Sequence, residues 1–287
     1  MALESHQAPP RPLAPSARQT YRYRLRFRKA GNLRLVSHID LLHVFERMLR
    51  RAELPFASTQ GFHPKPCLVF AHALALGVVG LNEIVDLDLH DPLPAPEVLT
   101  RLNQQAPPGL AFLDVQTVES KRAPQVRRAF YRLPLPRPDA DVPVAELRVA
   151  DLPERCAALL ARPRCIVERA RPRRRCLDIR PFICDVQADA DALTMSVWIT
   201  PNGAARPEEI VHALGLGTLL DQGAVLERTR LELMDELPAA ERWLPDIPRL
   251  VDVEIAPEEV IATAAERQEQ PVPIGQPLIE TPLSFET

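Results

Sequence analysis

Four arginines set two residues apart, Arg22, Arg24, Arg26 and Arg28, are the first residues in the chain whose spacing can do chemistry. In an extended segment they share one face, about 6.6 Å apart. A guanidinium grips phosphate through a bidentate fork and stacks on bases, so the row reads as a surface for a polyanion such as RNA. Arg47, Arg50 and Arg51 add positive charge farther along. A second basic run, Arg169 to Arg175, holds five arginines in seven residues. Beside Arg162, Arg164 and the Lys121–Arg128 linker it makes a second candidate phosphate surface, although the plainer reading is a solvated hairpin tip. Arg173, Arg174, Arg175 and Arg180 are the binding candidates here.

Histidines offer acid–base chemistry. His38 and His63 can act as general acid and base on RNA if the fold joins them, though nothing in the sequence does so. His63 lies in a stiff loop, Gln60-Gly61-Phe62-His63-Pro64-Lys65-Pro66. Gly61 permits backbone geometry that other residues resist, and Pro64 and Pro66 stiffen the second half of the loop. Gln60, Gly61, Phe62, His63 and Lys65 are therefore candidate partner- or substrate-binding residues; the alternative is a structural turn with Phe62 plugging the core. His72 sits in an apolar run and is expected to be a core histidine. No phosphate-cradling glycine loop, dinucleotide fingerprint, zinc-protease helix or nucleophile elbow occurs. The five cysteines have neither C-x-x-C pairing nor the tight spacing of an iron–sulfur cluster, so no cofactor or metal is expected.

The elements that must position these residues follow from periodicity. Tyr21, Tyr23, Leu25 and Phe27 alternate with the arginines, which predicts a half-buried strand. Ser37 followed by Asp40 opens a helix with Leu41, Leu42, Phe45, Met48, Leu49 and Ala52 on one side, ending by Pro55. A strand-like piece at Phe56, a strand from Cys67 to Leu74, another from Ile84 to Leu89, a helix from Pro94 to Gln105 and a strand from Leu110 to Val118 come next. After a basic linker the order recurs: a strand from Phe130, a helix from Asp151, strands at Cys165–Arg169, Cys176–Val186 and Leu193–Thr200, a helix from Arg206 to Gly215 and a strand from Val225 to Leu233. The fold class expected is α+β, with two tandem ferredoxin-like modules of β-α-β-β-α-β type. Residues 1–20 read as a disordered proline-bearing segment, 21–120 as the first module, 121–234 as the second, and 235–287 as an acidic, proline-rich, largely disordered tail. In this topology the first strand neighbours the third, so Asp86 and Asp88 are expected to neutralise part of the arginine row.

Composition sets the outer bounds. Of 287 residues, 31 are proline, roughly twice the usual share of about 5 %. The net charge of −3 conceals an asymmetry, because twelve acidic residues against three arginines lie beyond position 234. The body keeps 26 acidic and 32 basic residues, a balance of +6. No run of about 18 apolar residues and no secretory leader is present, so a soluble, cytoplasmic protein is expected, with no membrane partner.

Several segments together resemble a known family. They are Ser37-His38-Ile39-Asp40-Leu41, Phe45-Glu46-Arg47-Met48-Leu49-Arg50-Arg51-Ala52, Gln60-Gly61-Phe62-His63-Pro64 and Gly77 before Glu83. In the second half they are Leu177-Asp178-Ile179-Arg180-Pro181, Arg206-Pro207-Glu208-Glu209 and Glu227-Arg228-Thr229. They resemble the radical SAM-linked proteins, a domain of unknown function found beside or fused to cobalamin-type radical SAM proteins. His63 and Lys65 depart from that pattern, where asparagine and histidine are usual. The resemblance implies a non-catalytic accessory protein that acts with a separate radical SAM enzyme encoded nearby and helps bind an RNA substrate. Two other readings stay open: an RNA-processing, endonuclease-like enzyme using His38 or His63, and a pure protein–protein adaptor.

Overall fold

The computed structural model describes residues 19–60, 62–136, 151–170, 174–253 and 262–263. The expected alternation builds β1 (Tyr21–Lys29), with Tyr23, Leu25 and Phe27 buried. Helix α1 (His38–Arg51) starts where Ser37 caps it: its Oγ accepts from the Asp40 backbone N–H at 3.2 Å and donates to Asp40 Oδ2 at 2.6 Å. Then come β2 (Leu68–Phe70), β3 (Val79–Leu89), α2 (Ala95–Gln105) and β4 (Leu110–Val118). Asn103 fastens α2 to β4, since its side chain both donates to and accepts from the Phe112 backbone at 2.9 Å.

The second half runs β5 (Val126–Pro134), α3 (Leu152–Ala161), β6 (Ile166–Arg169), β7 (Arg175–Asp178), β8 (Ile183–Ala188), β9 (Ala192–Trp198), α4 (Pro207–Ala213), α5 (Gly217–Asp221) and β10 (Glu227–Leu233). The chain is thus mixed α+β. One sheet joins both halves in the order β4-β1-β3-β10-β5-β9-β8, with β2 also on β3. Every pairing in it is antiparallel except β3 with β10, which are parallel at Val79–Glu227 and Gly80–Arg228. A small separate sheet pairs β6 with β7 and with β11 (Ala262–Thr263).

Two cores follow from the two helix layers. Tyr23, Leu25 and Phe27 pack with Phe45, Met48, Leu49, Val98, Leu102 and Phe112 in the first. Ala129, Tyr131 and Leu133 pack with residues of α3, α4, β9 and β10 in the second. Burial of each large apolar side chain contributes about 1.5–3 kcal/mol. Val78 and Ile84 belong to the second core although they lie in the first half of the chain, so the joint between halves is itself packed.

Three expectations need correction. The strand anticipated from Cys67 to Leu74 stops at Phe70, because the chain bends at Ala71 and His72 and turns the His72 and Ala73 carbonyls toward Arg228. The strand anticipated from Cys176 to Val186 breaks into β7 and β8 around a 3-10 turn at Arg180–Phe182, where Pro181 lacks the N–H a strand ladder needs. The tail is not a loose end over its first part, since 235–253 folds back on the body: Ile247 is buried and Asp252 bridges to Leu177. Residues 1–18, 254–261 and 264–287 lie outside the described part.

Candidate functional site

The arginine row faces away from the helices and is largely neutralised. Arg22 forks onto Asp88 at 2.7 and 3.0 Å, and Arg24 onto Asp86 at 2.9 and 3.2 Å. The register pairs Arg22 with Asp88 and Arg24 with Asp86 directly across β1 and β3. The returning tail supplies two further acids. Arg24 Nη1 reaches Asp235 at 2.9 and 3.0 Å, and Arg26 Nη2 reaches Glu236 at 2.5 Å. Burial alone would lower the pKa of Arg24, but the hydrogen bonds and charges of Asp86 and Asp235 raise it above the usual value. Among the described residues Arg28 is the row's one exposed arginine without an ionic partner.

The remaining candidate residues are scattered. Arg47, Arg50 and Arg51 lie exposed on α1, on the opposite side of the sheet from the row. Arg50 pairs with Glu46 at 2.7 Å and Arg51 donates to the Gln105 carbonyl at 2.9 Å. Phe62 to Lys65 are exposed, and the loop is closed by Ser58 opposite the buried Pro66. Gln60, His63 and Lys65 stand in solvent and Phe62 is fully exposed at 102 %, so Phe62 does not plug the core. Gly61 and Arg173 lie outside the described residues. Arg174 pairs with Glu168 at 2.7 Å, and Arg175 begins β7 with its Nε buried and unpaired. Arg180 donates to the Leu160 and Ile183 carbonyls and so clamps the break between β7 and β8. His38 packs edge-on against Phe70, ring centres 5.1 Å apart, and no hydrogen bond or ring contact joins it to His63.

A cleft of about 470 Å³ between the halves was not anticipated from the candidate residues of the sequence. Its walls include His72, Tyr131, Arg169, Arg206, Glu208 and Arg228. At its base Arg228, 1 % exposed, forks onto Glu83 of β3, with Nε to Oε1 at 2.8 Å and Nη2 to Oε2. Arg228 also donates to the Ala73 and His72 carbonyls, each at 3.0 Å. Gly80 makes room for this, because a Cβ there would lie 2.5 Å from Glu83 Cγ. On the far wall Arg169 forks onto Glu209 at 2.5 and 2.9 Å, and Glu209 also accepts the Arg206 N–H that opens α4.

The titrating groups here are displaced from their ordinary values. Burial, reinforced by the Arg228 charge, pulls the His72 imidazole down to about 4, so it is neutral at pH 7. Burial pushes Glu208 up, helped by the charge of Glu209. Burial likewise pushes Tyr131 up. Lys29, buried just behind Glu83, donates to the Val36 carbonyl at 2.7 Å and is lowered by desolvation. Glu83, Arg206, Glu208, Glu209 and Arg228 all come from segments on which the family resemblance rests, and that shared membership is the one signal in the sequence that could have found the seam. What it did not reveal was that segments more than a hundred residues apart meet. Among the described residues no three His, Cys, Asp or Glu side chains gather as a metal would require.

No curated protein matches the chain. A family model described as an uncharacterized protein conserved in bacteria (DUF2344) matches residues 22–207, from the arginine strand to the first residue of α4 and well over half the chain. By that span and the segments within it, the chain belongs to the DUF2344 family.

Proposed function

We propose that this protein is a non-catalytic binding partner of a separate radical SAM enzyme and holds an RNA substrate for it. The radical SAM part rests on the resemblance of the segments around His38, Gln60–Pro64, Arg206–Glu209 and Glu227–Thr229. The binding part is carried by one observation: the two buried arginines of the cleft are already matched, Arg228 by Glu83 and Arg169 by Glu209. Matched buried pairs hold a preformed shape, which is what a recognition surface needs. The halves repeat one strand order, β4-β1-β3-β2 and β10-β5-β9-β8, which supports reading them as tandem ferredoxin-like modules. Free thiols at all five cysteines accord with a reducing, cytoplasmic setting.

The test is direct. The full-length protein is mixed with a radical SAM enzyme encoded beside its gene, and complex formation is followed by size-exclusion chromatography. The expected result is a complex that survives dilution to micromolar concentration. Failure to associate, with and without RNA, overturns the partnership.

A second reading has a specific observation behind it. A neutral imidazole and a carboxyl with a raised pKa in one cleft are the ingredients of acid–base catalysis, here His72 and Glu208 rather than His38 and His63. RNA cleavage by the pure protein that disappears in His72→Asn would favour it.

A further inference from the structure

The outer face of the second half, turned away from α3 and α4, differs in chemistry from that of the first. Ala129, Tyr131 and Leu133 of β5 point into the core, so Arg128, Phe130 and Arg132 point out. On β9 Leu193, Met195 and Val197 point in, and Thr194, Ser196 and Trp198 point out. The register places Arg128 opposite Trp198 and Arg230 opposite Phe130. Trp243 of the returning tail, 51 % exposed, stands beside Trp198 with ring centres 5.8 Å apart.

Arginines are interleaved with these rings. Arg127 lies between Trp198 and Trp243, 5.1 and 4.9 Å from the ring centres. Arg128 lies between Phe130 and Trp198, at 5.2 and 5.3 Å. Arg230 sits 4.2 Å over Phe130. Glu232 answers Arg127 and Arg128, and Glu227 answers Arg132 at 3.3 Å. Arg230 is exposed and has no acidic partner among the described residues. The matching face of the first half is instead closed by Asp86, Asp88, Asp235 and Glu236.

We propose that this face of the second half binds single-stranded RNA, with bases stacked on Phe130, Trp198 and the guanidinium planes and phosphates taken by Arg230 and Arg132. Stacking surfaces are tolerant of sequence because every base has a π-face, and they need bases that are unpaired. Arginine rather than lysine suits the site, since its flat group can lie on a ring on one side and a base on the other. This site rests on the RNA part of the proposed function and moves the RNA from the first strand to the second half.

Both tryptophans of the chain, Trp198 and Trp243, stand on this face, so selectively excited tryptophan fluorescence reports on it alone. The full chain is titrated with an unstructured oligoribonucleotide of about 12 nucleotides, within the span of such a platform. Tryptophan fluorescence and the anisotropy of a labelled strand are followed together. The variants are Phe130→Leu, which keeps apolar bulk without the π-face, Arg230→Glu, and Arg47→Glu on the opposite side as a control; thermal melts establish that each is folded. Expected are quenching on binding, affinity that falls with salt, and at least about a tenfold loss in Phe130→Leu and in Arg230→Glu, with Arg47→Glu unchanged. Binding by the wild type that both variants retain overturns this site and leaves the RNA reading standing. No binding by the wild type overturns both. Loss of the enzyme complex in the two variants, with RNA binding intact, identifies the face as a protein docking surface and overturns the proposal.

Discussion

Arg228 of β10 and Glu83 of β3 form a buried, bidentate ion pair at the point where the sheets of the two halves join. A desolvated charge is costly unless it is paired and its remaining donors are satisfied. Here the carbonyls of His72 and Ala73 complete the set around Arg228, so the bend after β2, the start of β3 and the last strand of the second half are held as one unit.

Removing one member of this pair should therefore destabilise the protein strongly. Glu83→Ala or Arg228→Ala is expected to cost about 3–5 kcal/mol, because either leaves a buried charge uncompensated. Glu83→Leu combined with Arg228→Met should cost less than the two single losses added together. Urea unfolding of the four proteins measures it. Gly80→Ala should destabilise in the same direction, by displacing Glu83.

The tail acids over the arginine row should act more on binding than on stability. Asp235 and Glu236 are partly exposed, so Asp235→Asn with Glu236→Gln should change stability by less than about 1 kcal/mol. The same change uncovers Arg26 and one arm of Arg24 and should strengthen salt-sensitive retention on heparin. Asp86→Ala, by contrast, strips the buried Arg24 of its fork and leaves it the exposed Asp235 on one arm, so it should cost more, about 1–3 kcal/mol.

His72 makes stability depend on pH in a known direction. Its folded pKa of about 4 lies below the ordinary value of 6.5, so between the two the unfolded chain binds the proton and the folded one does not. Stability from this group is complete above about pH 6.5 and is lost as pH falls toward 4, by about 2–3 kcal/mol. Glu208 has the opposite sign: its raised pKa costs stability as pH rises through the carboxylate range. The difference between wild-type and His72→Asn stability curves isolates the histidine, and a flat difference from pH 4 to 6.5 would refute the assignment.

Phe62 should contribute nothing to folding. It is fully exposed, so Phe62→Ser is expected to leave the melting temperature within the scatter of an ordinary surface substitution, about 0.5 kcal/mol. A weaker complex with the partner enzyme in the same variant would mark the loop as a contact.

Much of the local structure was legible because it is set by periodicity and capping. The alternation of Tyr21–Arg28 became β1, the Ser37–Asp40 start became the cap of α1, and Leu110–Val118 became β4 without change. The Arg–Asp pairing across β1 and β3 could also be foreseen, since neighbouring strands in that topology bring outward residues face to face. Strand lengths were less legible where a turn serves a distant group, as after Phe70, where the bend exists to give two carbonyls to Arg228 more than 150 residues away.

By itself, then, the sequence determined which residues alternate, which face of each element is apolar and where helices begin, since those depend on neighbours within a turn or a strand. Beyond the Arg–Asp pairing of β1 with β3, tertiary structure alone decided what the charged residues do. Arg24 meets Asp235 across 211 residues and Arg228 meets Glu83 across 145, and no local pattern encodes a contact at that range. Of the arginine row most visible in the sequence, Arg22, Arg24 and Arg26 are neutralised by the fold, and the arginines set against aromatic rings are on β5 and β10, whose patterns, taken alone, were ordinary.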